Sequence, residues 1–287
     1  MKKLFDWTDE NFIETFVRNP EQVKQIILSQ KCISIFQKVH SANQILFYAY
    51  SAIKNIKKII DKINQNPNMD NFDLLQEFQT NANYHMFTFV QCVLPYRDAI
   101  TSSCLFDKEK LNLIFKENEQ FDFFRSLRNL QTHVSVPVFQ WEFHKDFLRK
   151  TSYIDIRINN LILNSIKDFK DGDENKGHNF KKGGYEFIIK NKQIPIYILS
   201  NDFLKYLYNI HSEVYSQMLK KYGEELDCCE YYLAKMADYT ERTILQIIQR
   251  NSTKKLLPEK VKPQPKRFEH ILRNLGGLPY LPQGEQV

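Results

Sequence analysis

From Thr8 to about Gln65, apolar residues recur three and four positions apart: Phe12 and Phe16, Val23, Ile26 and Ile27, Ile33 and Phe36, then Ile53, Ile56, Ile59 and Ile60. That spacing lines one face of an α-helix. Thr8, followed by Asp9 and Glu10, is a candidate N-cap, while Pro20 and Asn66-Pro67-Asn68 interrupt the pattern. The same period predicts helices over 72–93, around Leu74, Leu75, Phe78, Phe87 and Phe89, and over 107–133, around Leu111, Phe115, Phe121, Phe124 and Leu127. The first half of the chain reads as a helical bundle, with a helix boundary and a local ion pair expected at Tyr96-Arg97-Asp98 after Pro95; the alternative is that these residues line a cleft opposite residues 125–133.

After His133 the period shortens. Val136 and Val138, then Phe139, Trp141 and Phe143, and later Ile154, Ile156 and Ile158 fall at alternate positions around the polar Arg149-Lys150-Thr151-Ser152, which predicts a hairpin. DGDENKGHNFKKGG, residues 171–184, reads as a charged loop, and YEFIIKNKQIPIYIL as a second short β pair turning at Asn191-Lys192, with Pro195 confining its strand to an edge. Helical spacing returns from Asp202, a candidate N-cap, through Leu204, Leu207, Ile210 and Val214, and again from Glu224 to about Gln249. The expectation is a mainly α domain over 1–250 with a β-containing segment at about 135–200. Residues 251–287, rich in Lys and Pro, read as a basic tail that the fold does not need, carrying one hydrophobic cluster, FEHILRNLGGLPYLP.

Composition changes this picture little. With 22 Phe, 15 Tyr and only 8 Gly in 287 residues, the chain can fill a large core. Forty Lys and Arg against 34 Asp and Glu leave a formal charge of +6, compatible with an anionic partner without requiring one. Five cysteines, none in a CxxC pair, read as reduced thiols. No apolar run approaches the roughly 18 residues of a membrane span, so the expected setting is cytoplasmic, with no membrane partner.

One stretch departs from a plain core helix. In FRSLRNLQTHVSVP, residues 124–137, Arg125, Asn129 and His133 lie four apart on one helical stripe, while Phe124, Leu127 and Leu130 turn elsewhere. Arg128 reaches the stripe if the last turn loosens before Val134 and Pro137. A planar guanidinium suits a phosphodiester, an amide can hold an oxygen, and a histidine with an ordinary pKa near ~6.5 can exchange a proton at neutral pH. With no carboxylate in the stripe, the group points to metal-free attack on phosphorus, and neither metal nor cofactor is expected. The bland alternative is a histidine that caps a helix end.

Arg128-Asn129-Leu130-Gln131-Thr132-His133 resembles the Arg, polar residue, variable residues, His motif of HEPN (higher eukaryotes and prokaryotes nucleotide-binding) ribonucleases, with the resemblance covering mainly residues 70–140. It implies a HEPN-like helical bundle with the β-hairpin-containing segment as an insertion. It also implies a metal-independent endoribonuclease of toxin or phage-defence type, a homodimer in which two motifs form one composite site. His133 would act as general base on the 2′-hydroxyl or as acid at the leaving oxygen, Arg128 would neutralise the phosphoryl group, and Asn129 would orient the pair. Arg125, Gln131 and Thr132 would contact RNA, and an antitoxin or regulatory protein would be a further partner. The rival is a non-catalytic helical dimerisation or interaction protein binding RNA or another protein.

Other candidates read as structural. His85 suits a buried, hydrogen-bonded core position, and His144 and His178 have no ligand partner at metal spacing. Cys228 and Cys229 point about 100° apart on a helix and read as core and rim residues, without a choice of which is which. Lys54, Lys57, Lys58 and Lys62 form a basic run whose default is a solvated face, though it could also guide RNA.

Overall fold

The computed structural model describes residues 7–65, 72–133, 139–146, 151–158, 196–240 and 268–276, together with Gly184, Glu186, Phe187, Lys190, Asn191 and Ile194. The elements are α1 (Asp9–Arg18), α2 (Pro20–Leu28), α3 (Lys31–Gln65), α4 (Phe72–Ser103), α5 (Lys108–Phe115), α6 (Glu119–His133), β1 (Phe139–Asp146), β2 (Thr151–Ile158), α7 (Ile196–Thr240) and α8 (Glu269–Asn274). The fold is mainly α. No helix among the described residues is long and apolar enough to cross a membrane. The chain divides into two units, one from Met1–Ser41 with Glu213–Tyr280 and one centred on Ala42–Ser212.

In the first unit local chemistry starts α1 and α2. Thr8 Oγ1 accepts from the Asn11 N–H at 3.2 Å and caps α1. Asn19 Oδ1 does the same for Gln22 at 3.1 Å, with Pro20 opening α2 where its missing N–H costs nothing. The aromatic face of α1 then meets α7: Phe12 and Tyr232 lie with ring centroids 4.8 Å apart, and Tyr232 Oη donates to the Trp7 carbonyl at 2.9 Å. Asp9 takes the Lys235 ammonium at 2.6 Å and the Tyr231 hydroxyl at 3.2 Å. Cys32 on α3 and Cys229 on α7 are buried and share a 3.7 Å hydrogen bond as free thiols.

His40 is buried among these helices, its ring parallel to Phe36. Burial disfavours the imidazolium, so its pKa lies below the ordinary value of 6.5. Between the lowered folded value and 6.5, the unfolded chain binds more protons than the folded one, so stability falls as pH falls. His40→Leu is therefore expected to flatten the decline in melting temperature between neutral and mildly acid pH. Equal slopes for both proteins would remove His40 as the cause.

The segment 251–287 does not behave as a tail throughout. Phe268 is fully buried against Phe36, with centroids 5.2 Å apart and near edge-on, and Ile271 and Leu272 are buried with it. Phe268 stands at the start of α8 in the left-handed region, φ 67°, and offers no side-chain cap. Glu230 of α7 supplies the cap instead, its two carboxylate oxygens accepting from the His270 and Ile271 N–H groups at 3.2 and 3.1 Å. Burial raises the Glu230 pKa, and these two hydrogen bonds only partly oppose it. Glu230→Ala leaves both N–H groups uncapped and is expected to cost about 1–2 kcal/mol. Glu230→Gln, which keeps an acceptor, should cost clearly less in the same denaturation experiment; equal losses would argue against capping.

In the second unit the core is aromatic. Phe124 of α6 packs edge-on to Phe89 of α4 at 5.3 Å and stacks on Phe203 of α7 at 4.7 Å, and Phe115, Phe121, Phe123 and Leu127 close the group. Asp107 and Asn118 cap α5 and α6 by accepting from Lys110 and Phe121 N–H groups at 2.7 and 2.9 Å. β1 and β2 pair antiparallel, the register setting Phe139, Trp141 and Phe143 opposite Ile158, Ile156 and Ile154. Val136, Val138 and most of the 171–184 loop lie outside the described residues.

Three boundaries depart from the periodic reading. Pro95 lies inside α4, so the expected boundary at Tyr96-Arg97-Asp98 is replaced by a continuous helix. Tyr96 explains why: fully buried, it donates its hydroxyl to the Leu207 carbonyl at 3.1 Å, which helps offset the lost backbone bond. Within the expected second β pair, Glu186, Phe187 and Lys190 are helical and Ile196 opens α7, while Ile194 forms a β bridge. Asp202 is no N-cap but an interior residue of that 45-residue helix, ion-paired with Lys205 at 3.8 Å, and α7 also runs unbroken through Gly223. His85 is half-buried, edge-on to Tyr84 at 5.4 Å, rather than a core histidine.

Candidate functional site

α6 presents the candidate residues because its amphipathic pattern leaves no other arrangement. Phe123, Phe124 and Leu127 are buried, which turns Arg125, Arg128 and Asn129 to the margin of the core, where all three are half-buried. Gln131, Thr132 and His133 occupy the last turn of α6, and their side chains lie outside the described residues.

α6 is held tightly on the side next to this margin. A Cβ placed on Gly184 would come within 2.8 Å of the Asp122 carbonyl and collide with the Ser126 Oγ, so only glycine allows that approach. On the other side Arg128 Nε donates to Gln91 Oε1 of α4 at 3.2 Å, a partly buried bond between residues 37 apart in sequence. Pro95 has no N–H to give the Gln91 carbonyl, so the α4 ladder is interrupted at the residue that positions Arg128.

Arg97, read from the sequence as part of a helix boundary with a local ion pair, keeps the ion pair. Its Nε and Nη2 both donate to Asp98 Oδ1, at 2.9 and 2.7 Å. Its charge is nevertheless felt by Arg125, whose pKa is lowered first by burial and next by Arg97, with a smaller push from Arg128, against the partial relief of Asp122 and Asp98. Arg125 thus feels the charges of Arg97 and Arg128, with Asp122 and Asp98 partly compensating them. Gln91 gave no sequence signal, being one polar residue in an amphipathic helix, whereas Arg97 was visible and was assigned to a boundary because of the proline before it.

Elsewhere the candidates behave as structure. Among the described residues no three His, Cys, Asp or Glu side chains gather in a way that could hold a metal ion. Cys228 is half-buried and its thiol is pushed up to about 11, first by burial, while Cys229 is buried. Lys54, Lys57, Lys58 and Lys62 are exposed along α3.

No protein-family model, curated protein or solved structure matches the chain.

Proposed function

We propose that this protein is a metal-independent endoribonuclease of HEPN type, with Arg128 and His133 as its reacting pair. The observation that carries the reading is the anchored Arg128: a guanidinium fixed by Gln91 beside Arg125 and Asn129, on the helix whose next turn carries His133. An arginine held in place before substrate arrives stabilises charge on phosphorus without reorganising. In the reaction the 2′-hydroxyl attacks the adjacent phosphorus and the 5′-oxygen leaves. His133 removes the proton from the first or supplies one to the second, and Arg128 balances the charge gathering on the phosphoryl oxygens. Asn129 orients the pair, and Arg125, Gln131 and Thr132 bind the strand.

The test is incubation of the purified protein with RNA in excess EDTA. Products bearing 2′,3′-cyclic phosphate and 5′-hydroxyl ends are expected, and a single 2′-deoxy nucleotide at the cut should abolish cleavage there. The proposal includes a homodimer that joins the ends of two α6 helices into one site, with a cytoplasmic toxin or phage-defence role restrained by an antitoxin or regulator. Light scattering at micromolar concentration should give the dimer mass; a monomer mass throughout would count against the composite site.

A second reading has its own observation. Tyr84 and Phe87, one turn apart on α4, are 65% and 42% exposed, unusual for rings of that size. A helical interaction protein would use such a surface, and it would bind its partner without cutting RNA.

A further inference from the structure

Two thiols of the first unit meet away from the α6 site. Cys32, in the first turn of α3, and Cys229, on α7, are both buried, and their Sγ atoms lie 3.7 Å apart although 197 residues separate them in the chain. A disulfide holds its sulfurs roughly 2.05 Å apart, so the pair has only about 1.6 Å to close. That is the scale of a side-chain rotation, with no helix shift required. Buried free cysteine is common as a small apolar residue, but here each sulfur is the hydrogen-bond partner of the other. Cys92 and Cys104, in the other unit, give their thiols instead to the Thr88 and Ser102 carbonyls at 3.2 and 3.6 Å. Among the described residues no third His, Cys, Asp or Glu joins the pair as a metal site.

The two thiols are unequal. Where Cys32 is the thiolate, Cys229 donates to it, and this bond draws the Cys32 pKa below the ordinary thiol value. Burial and the Glu225 carboxylate oppose the shift, while the Cys32 and Ile33 N–H groups at the start of α3 support it. The same bond, and then burial, raise Cys229. Cys228, half-buried beside it, is pushed up to about 11, first by burial, and competes poorly as a nucleophile. Cys32 also stands at a helix end, next to exposed Lys31, where local opening is easiest.

The position of the pair ties it to α8. Phe36, one turn after Cys32 on the same stripe of α3, packs against Phe268, and Glu230, the residue after Cys229 on α7, caps α8. The sulfurs therefore join the two helices that seat α8.

We propose that Cys32 and Cys229 form a reversible redox site, which hydrogen peroxide converts to a disulfide that staples the start of α3 to α7 and steadies the seat of α8. The Cys32 thiolate attacks one peroxide oxygen, the O–O bond breaks, and hydroxide leaves to take up the proton that Cys32 gave, which makes the first water. Cys229 then attacks the sulfur of the resulting sulfenic acid. The S–O bond breaks, and hydroxide leaves with the Cys229 proton as the second water. Two thiols have lost two electrons to one peroxide, and a dithiol reductant reverses the change. The site stands whether or not the protein cuts RNA.

The experiment treats reduced, folded, full-length protein with hydrogen peroxide, blocks the remaining thiols with N-ethylmaleimide in denaturant, and maps the peptides by mass spectrometry. A linked pair of peptides holding Cys32 and Cys229 is expected, with Cys92 and Cys228 still alkylated and dithiothreitol restoring both thiols. The oxidised protein should melt about 5 °C or more above the reduced one, since a cross-link over so long a loop restricts the unfolded chain. Hydrogen exchange in α8, at the Leu272 amide for example, should slow on oxidation. Cys32→Ala should lose the peroxide-dependent rise in melting temperature and Cys228→Ser should keep it; the peptide map of the parent decides even where Cys32→Ala does not fold.

Peroxide that leaves Cys32 and Cys229 open to alkylation, carries Cys32 on to the sulfinic acid, or links Cys104 or Cys228 in their place would overturn the site. A Cys32–Cys229 bond that lowers the melting temperature would overturn the staple, and unchanged exchange in α8 with the bond in place would overturn its link to that helix.

Discussion

Replacing His133 by alanine is expected to lower RNA cleavage by about 10²-fold or more while leaving the melting temperature nearly unchanged, because positioned general acid–base catalysis is worth roughly 10² to 10⁴. Arg128→Ala should lose a similar amount, since the guanidinium acts where charge develops. The two differ in one respect. Arg128→Ala also strips the Gln91 Oε1 of its partner and should cost some stability, so its activity must be compared at a temperature where both proteins are folded. Arg128→Lys keeps the charge but not the planar fork, and should recover only part of the rate. If both residues belong to one transition state, the double variant loses far less than the product of the single losses. Cleavage that survives in folded His133→Ala, needs Mg²⁺, or leaves 5′-phosphate ends would end the ribonuclease reading and return α6 to binding or structure.

Phe268→Ala is expected to produce the largest stability loss of any single change in the last 37 residues. Removing a fully buried phenyl ring costs about 3–5 kcal/mol where the rest of the structure stays in place. The segment has another option, which is to undock. The loss is then limited to the free energy of docking α8, and truncation after Arg250 should lower stability by the same amount. Phe36→Ala, which removes the other half of the contact from the second turn of the long helix α3, has no such escape and should cost at least as much. Denaturant unfolding of the four proteins decides it. A truncated chain as stable as the parent would show that Phe268, Ile271 and Leu272 contribute nothing to the fold, which their burial makes the unexpected result.

These two predictions rest on different kinds of legibility. The α6 stripe is visible in sequence because a helix repeats every 3.6 residues, so Arg125 and Asn129 must leave the face that Phe124 and Leu127 bury. The Thr8 cap and the break at Pro20 follow from equally local rules, as does the mainly α character of the chain. Gln91 is different: its role depends on α4 lying against α6, a relation between residues 37 apart that no local pattern contains.

The amino-acid sequence by itself determined where most of the helices lie and which faces they bury, because caps and periodicity act within one or two turns. Tertiary structure decided where helices continue and what distant segments meet. Pro95 sits within α4 because Tyr96 is buried and bonded to Leu207, and α7 passes Asp202 and Gly223 because Phe203, Leu204, Leu226 and Cys229 pack on either side of them. α8, six residues long and without its own cap, owes its place to Phe36 and Glu230, far away in the chain. Local preference amounts to a few tenths of a kcal/mol to about 1 kcal/mol for most single residues, whereas burying a phenyl ring is worth several times more. Where the two disagreed, burial won.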